Sequence, residues 1–270
     1  MSSEQKACYR SGCDGTNINM EVFMLKTRYF EVNDIAKCDL VGILKELHEK
    51  IFLTPVGVTL NEAISPYIHS PAAVRKIAIY YDKNKPIGFM CMQRYEVDIN
   101  GKKINVFRSQ AGLLEKYRKN NTTKLIYLKF IFSELLRHPR KSLFFAICIH
   151  PSSYCAILKG PYGRINAWPT EENVSSNIEM RCLCKKLCNS FDLEVEERDG
   201  VFIYNDGLGP TRNEKTSRSS ISDDAAFFMK INPKYVNGDG VATIVNFSII
   251  DVSCHFLYQI FSKVKRKLNI

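Results

Sequence analysis

The chain lacks four things: an apolar run at its start, an uninterrupted apolar stretch, a pair of Cys-x-x-Cys knuckles, and any internal repeat or low-complexity tract. Each absence excludes something. Residues 1–15 are polar and include Cys8 and Cys13, so no secretory signal is expected. Ten cysteines without such a signal imply free thiols in a reducing, cytoplasmic compartment. Residues 241–261 are apolar enough to raise the question of a membrane, but Asn246, Asp251, His255 and Gln259 interrupt them. A spanning helix needs about 20 mostly apolar residues, so none is expected. Cys182, Cys184 and Cys188 fall in one expected helix, with 184 and 188 on one face and 182 elsewhere. No second ligand cluster completes a tetrahedral set, so no metal is expected. There is also no zinc finger, no aromatic RNA-binding strand motif and no dense Lys/Arg helix, which ranks nucleic acid last among possible partners.

What is present describes a protein with a core. Hydrophobic residues make up 45% and charged residues 24% of 270, enough for one large domain or one ordinary domain with an extension. Lys and Arg number 38 against 28 acids, a net charge of +10. That balance suits CoA, other phosphates, nucleic acid or an anionic membrane, or it serves solubility alone.

Hydrophobic periodicity predicts the elements. Residues 1–19 read as a flexible arm and 20–29 as a strand. Asn33 is expected to cap a helix over 34–52 with the stripe Ile35, Cys38, Val41, Leu44, Leu47 and Ile51. A short helix follows over 60–68. Strands are expected at 75–81, 86–95 and 103–114, the last two joined at Asn100-Gly101, a pair that tolerates positive φ. A helix over 122–136 leads to a buried apolar strand at 142–149, which must run parallel to 103–114 because a helix joins them. A short helix over 152–158, a longer one over 174–190 and a hairpin at 193–204 turning on Asp199-Gly200 complete this part. Residues 206–222 read as a linker, and 223–270 as an extension with a strand at 241–247 and a helix over 250–268. The expectation is therefore an α/β protein with a mixed sheet covered by helices.

The segment Leu113-Leu114-Glu115-Lys116-Tyr117-Arg118-Lys119-Asn120-Asn121-Thr122-Thr123 carries a resemblance. It is similar to the motif after the fourth strand in the GNAT family of N-acyltransferases, a tyrosine followed by Arg/Gln-x-x-Gly-x-Gly/Ala. Tyr117 and Arg118 match, while Asn121 and Thr123 stand where that family has small residues. A second stretch, His150 to Lys159, resembles the family's Asn-x-x-Ala/Ser-x-x-x-Tyr-x-Lys. Ser153 and Lys159 fit, His150 replaces the Asn, and Ile157 replaces the tyrosine that often protonates the departing thiolate. The resemblance covers roughly residues 20–205. It implies a GNAT-like fold and transfer of an acyl group from acetyl-CoA, a longer acyl-CoA or an acyl carrier protein to an amine.

Physical reasoning adds roles to these residues. A loop that opens a helix offers unpaired N–H groups and a positive dipole end, which suits a pyrophosphate. Asn120 and Asn121 tolerate the left-handed conformation, Thr122 or Thr123 can cap the helix or touch a phosphate, and Lys119 adds charge. The alternative is an ordinary capped helix start with a solvated basic loop. By the resemblance, the acyl carbonyl faces the strand of Arg108 to Leu114, with backbone groups from Leu113 and Leu114. Tyr154 lies three residues before Ile157 and is a candidate acid, or else a core or surface aromatic, with Cys155 and Ser152 as alternative acids. Glu96, Asp98, Glu115 and His150 are candidate bases, each with a reading as a strand-end or turn residue. The basic residues after Ile250, among them Lys263, Lys265, Arg266 and Lys267, either contact an anionic membrane surface or complement a helix C-terminus. A catalytically silent protein of the same shape that binds a ligand is the competing reading.

Overall fold

The structure is a computed structural model and describes residues 26–31, 39–118, 122–159, 166–205, 209–212, 222–255 and 257–258. The expected arm, Asn33, Lys119, Asn120, Asn121, the side chain of Thr122 and the basic residues from 263 onward lie outside this set.

Within it, β1 (Lys26–Glu31) precedes α1 (Leu40–Ile51) and α2 (Leu60–Ile68). Then come β2 (Val74–Asp82), β3 (Lys85–Ile99) and β4 (Lys102–Leu113). Next, α3 (Thr122–Arg137) leads to β5 (Ser142–Cys148) and α4 (Pro151–Leu158). Beyond these are β6 (Ala167–Trp168), α5 (Ile178–Ser190), β7 (Val195–Arg198) and β8 (Val201–Tyr204). The last elements are α6 (Asp223–Ile231), β9 (Gly240–Phe247) and α7, helical at residues 249–255.

The strands form one sheet in the order β1-β2-β3-β4-β5-β9-β8-β7, with β6 also paired to β9. The pair β4–β5 is parallel and the others are antiparallel. This is the mixed sheet expected. Both hairpin turns take the positive φ that their residues allow: 58° and 76° at Asn100-Gly101, 50° and 79° at Asp199-Gly200.

Alternation along the strands assigns the faces. One face carries α1 and α2 on Ile77, Ile79 and Phe89, and α5 on Val106, Phe145 and Ile244. The other carries α3 and α7 on Tyr80, Met92 and Phe107, and α4 with α6 on Cys148, Ile203 and Val241. Cys184 and Cys188 are buried on the inner side of α5 and Cys182 is exposed, as the helical spacing predicts.

Four expectations are corrected. The first helix begins at Leu40, because the Asp39 carboxylate accepts the Gly42 N–H at 3.2 Å and so caps it there. The helix expected from 174 begins at Ile178, where Asn177 caps it by accepting the Met180 N–H at 3.1 Å. The domain boundary at 205 does not hold, because β9 lies inside the sheet between β5 and β8. The tract 206–222 is not simply a linker. Its residues 209–212 dock on the end of α1, where Arg212 donates from Nε to the carbonyls of Glu49 at 2.8 Å and Phe52 at 2.9 Å. Two elements were missed. The strand β6 has only two residues, and α6 is announced by Ser222, whose hydroxyl accepts the Ala225 N–H, followed by two acids and an apolar face.

Candidate functional site

The site arises where the sheet comes apart. The register of β4 on β3 is unbroken from Lys102 to Leu113. On its other edge, β4 pairs with β5 only from Asn105–Ser142 to Phe107–Phe144, after which the two strands diverge. Direction along β4 follows from two hydrogen bonds. The Asn105 N–H donates to Lys141 on the β5 side at 2.9 Å, and the Leu114 N–H donates to Ile87 on the β3 side at 2.9 Å. Backbone groups alternate along a strand, so odd-numbered residues of β4 address β5 and even-numbered ones address β3. The backbone N–H and C=O groups of Ser109 and Ala111, and the N–H of Leu113, therefore face the opening without a strand partner among the described residues.

On the face of α2 and α5 this opening leads into a cavity of about 650 Å³. Arg108 and Gln110 of β4 project into it, opposite Phe145 and Ile147 of β5. Gln93 and Tyr95 of β3, the last turns of α2 and the end of α5 close it round. Gln93 is fixed by donating from Nε2 to the Pro66 carbonyl at 2.9 Å, and the Tyr95 hydroxyl is bonded to Ser70. These bonds tie α2 and its following turn to β3 and hold the cavity wall in place.

On the opposite face, Tyr127 of α3 points at the same opening. Its ring meets Phe144 edge-on at 5.7 Å and stacks on Phe130 at 6.3 Å. Its hydroxyl is buried beside Ser109 and has no well-formed hydrogen bond among the described residues. Burial pushes this phenol well above its ordinary pKa, so it keeps its proton at neutral pH. Nearby, α7 packs along α3: Val252 joins the α3 cluster, and buried His255 is pushed down to about 4 by burial and then by the Lys124 charge.

Most residues singled out from the sequence have structural occupations. The Tyr154 hydroxyl is buried between α4 and α6 and donates to the Pro169 carbonyl at 2.6 Å. Burial raises its pKa, and it does not line the cavity. Changing Tyr154→Phe should cost about 1–2 kcal/mol in urea unfolding, the penalty for stranding a buried carbonyl, while ligand binding at the opening stays unchanged. His150 caps α4 by accepting the Ser152 N–H on Nδ1 at 3.1 Å. Glu96 is held below the usual carboxylate range by hydrogen bonds from Arg94 at 2.9 Å and from Arg140 at 3.1 Å, which makes it a weak base.

The expected phosphate-side residues are similarly engaged. Leu114 spends its N–H on Ile87 and the Leu113 carbonyl accepts Arg118 Nε at 3.1 Å, so of the two only the Leu113 N–H remains to face the opening, beside the backbone of Ser109 and Ala111. Tyr117 is buried and donates to Asp82. Arg118 also donates to the Arg212 carbonyl at 2.9 Å, pinning residues 209–212 to the end of β4. Glu115 is exposed in a 3₁₀ turn, Ser153 and Lys159 are exposed on α4, and Thr123 is half-buried in the first turn of α3. The site residues that sequence reasoning missed are Arg108, Ser109, Gln110 and Tyr127. Their signal was present, since Arg-Ser-Gln interrupts a strand that is apolar before and after it. Among the described residues no group of three His, Cys, Asp or Glu side chains gathers as metal ligands, and no helix is long and apolar enough to cross a membrane.

No protein-family model matches the chain, and no curated protein matches it. Solved structures do. One is a probable N-acyltransferase from Enterococcus faecalis, with 9% identity and a TM-score of 0.36 over 49% of this chain. That match spans 32% of the Enterococcus chain, about a third of its length. A GNAT family acetyltransferase from Brucella melitensis in complex with acetyl-CoA matches at 10% identity and a TM-score of 0.34, over 54% of this chain and 84% of its own. The ribosomal-protein-S18-alanine N-acetyltransferase from Escherichia coli matches at 10% identity and a TM-score of 0.34, over 83% and 95%.

Proposed function

We propose that this chain is an N-acyltransferase that takes its acyl group from an acyl-CoA and passes it to an amine held in the cavity. The observation that carries the reading is the divergence of β4 from β5, which leaves the backbone of Ser109 and Ala111 facing an opening through the sheet. In this reading the acyl thioester enters from the α3 face and its carbonyl oxygen accepts one of these N–H groups. A fixed N–H aimed at a developing oxyanion stabilises the transition state more than the ground state. The amine nitrogen, in the cavity, attacks the carbonyl carbon. The C–N bond forms, the C–S bond breaks, and the thiolate takes the proton of the Tyr127 phenol, which water replaces. The amine gives up its own proton to water in the cavity. The start of α3, with Thr123 in its first turn, would receive the pyrophosphate.

Thermal unfolding with CoA, acetyl-CoA and a long-chain acyl-CoA tests this. Ligand at ~100 times its dissociation constant adds about 2.7 kcal/mol to the folded state. A shift that Thr123→Asp abolishes supports the reading. No shift with any of the three at millimolar concentration would falsify it. One observation favours a second reading, a ligand-binding protein without catalysis: Glu96, His150 and Tyr154 all serve packing, capping or ion pairing. Stabilisation by acyl-CoA without thiol release over a broad amine panel would select it.

A further inference from the structure

Arg108 is placed unusually for a cation. It sits mid-strand and half-buried, and its side chain opens on the cavity. Its guanidinium carbon lies 4.5 Å from the centre of the Phe191 ring and 5.3 Å from that of Phe145. Those two rings are stacked on one another at 5.4 Å and 15°. Phe145 belongs to β5 and Phe191 caps the end of α5, so the guanidinium carried by β4 is held from across the opening. Such stacking holds the plane of an arginine while leaving its N–H edge available.

Among the described residues no carboxylate answers this charge. Among the described residues Arg108 makes no ion pair, and the groups that most affect it are Tyr95, Cys188, Tyr204 and Tyr127, none of them an acid of ordinary strength. Burial works against its charge. Two acids line the cavity. Glu62 is committed to the cap of α2, accepting from the Thr59 N–H at 2.7 Å and its hydroxyl at 2.8 Å. Asp192 stands in the turn that ends α5 and makes no ion pair among the described residues. A half-buried charge without a carboxylate partner is held at a cost, and a ligand that completes it offsets that cost.

Gln110 supplies the second half. It lies two residues further along β4, hence on the same face and ~7 Å away along the strand. Its side-chain Oε1 is buried with no hydrogen-bond partner among the described residues. A cation and an unsatisfied amide carbonyl, side by side at the mouth of the opening, match a molecule with an anionic group and an N–H donor at short separation.

We infer that the cavity binds a small amino-carboxylate, its carboxylate on the Arg108 guanidinium and its amine towards Gln110. The inference rests on the proposed reaction for its consequence, acylation of that amine, but the binding itself does not require it. A volume of about 650 Å³ accommodates such a molecule with room for a side chain against Phe145 and Ile147.

The test is binding without any acyl donor. The twenty common α-amino acids are each titrated by thermal shift and calorimetry at up to 10 mM. Every binder is then compared with its carboxamide and with its decarboxylated amine. The expected result is at least one amino acid that stabilises the protein, with binding about tenfold to a hundredfold weaker for the carboxamide. Arg108→Met should show the same loss with a ligand-free midpoint that holds or rises, and Arg108→Lys should recover part of the binding, because the charge returns without the fork. Gln110→Leu should weaken the amino acid and leave the corresponding deaminated acid unaffected. Binding of acid and carboxamide alike, undiminished binding to folded Arg108→Met, or no stabilisation by any of the twenty each overturns the inference. The outcomes separate the two proposals. Amino acid binding with no response to CoA defeats the acyltransferase reading and keeps this one, and the reverse pattern does the opposite.

Discussion

Glu134→Ala is expected to lower the unfolding free energy by about 3 kcal/mol, the lower end of what breaking a buried ion pair costs. Glu134 and Arg94 are both almost wholly buried, at 1% and 3% side-chain exposure, and meet at 3.2 Å between α3 and β3. Arg94 also donates to Asn105 Oδ1 at 3.2 Å and pairs with Glu96 at 2.9 Å, while Arg137 reaches Glu134 from the surface at 3.0 Å. Removing Glu134 leaves Arg94 desolvated, with the neutral Asn105 amide as its inner partner and a carboxylate only on its outer side. Glu96 remains, which is why the loss should not approach 5 kcal/mol. Urea unfolding measures it, and an unchanged slope with a lowered midpoint identifies a stability effect rather than a change in the surface exposed. A loss below about 1 kcal/mol would mean that water reaches Arg94 between α3 and the sheet. Because Asn105 begins the short β4–β5 pairing, the same network fixes the apex from which the two strands diverge.

The second large effect concerns Tyr127. In the proposed reaction, Tyr127→Phe should reduce the rate of acyl transfer by about 10²–10⁴, the usual contribution of a general acid. It should leave acyl-CoA binding unchanged, since the ring and its contacts with Phe130 and Phe144 remain. Stability should hold or rise, because the hydroxyl removed is buried without a well-formed hydrogen bond. Lost rate with gained stability is the pattern of a group kept for function. The opposite pattern, intact rate and a loss of 1 kcal/mol or more, would assign the hydroxyl to packing beside Ser109 and leave the thiolate to be protonated by water.

Much of the architecture could be read from local signals. Asn100-Gly101 and Asp199-Gly200 announced their hairpins because few residue pairs accept positive φ twice in succession. The parallel pairing of β4 and β5 followed from the helix between them. What escaped notice depended on long-range partners. Nothing local in residues 240–247 says that they pair with β5 rather than forming an appendage, because an apolar strand reads the same in either place. The site was harder still. Motif matching directed attention to Leu113 and Leu114, but the parity of β4 is set by its pairing with β3, and that parity turns Leu114 away and brings Ser109 and Ala111 to the opening along with Leu113. Tyr154 and Tyr127 look alike in print. One ends its hydroxyl on the Pro169 carbonyl, the other beside the gap in the sheet, and only the packing of α4 and α3 separates them.

The position of β9 also bears on how the molecule comes to be made. Before β9 arrives, β5 has a partner for only three residues of one edge, and its sequence Ser-Leu-Phe-Phe-Ala-Ile-Cys is short, uncharged and apolar. Its other edge is covered through pairs such as Ser142 with Phe247 and Cys148 with Val241, contacts very distant along the chain. Closing so long a loop is slow compared with forming the β2–β3–β4 meander. A nascent chain therefore spends an interval with the meander formed and an apolar strand edge bare, the kind of segment that pairs with other chains if left unattended. The stretch most exposed to aggregation during synthesis is thus one wall of the cleft itself, and its protection depends on a strand that leaves the ribosome long after it does.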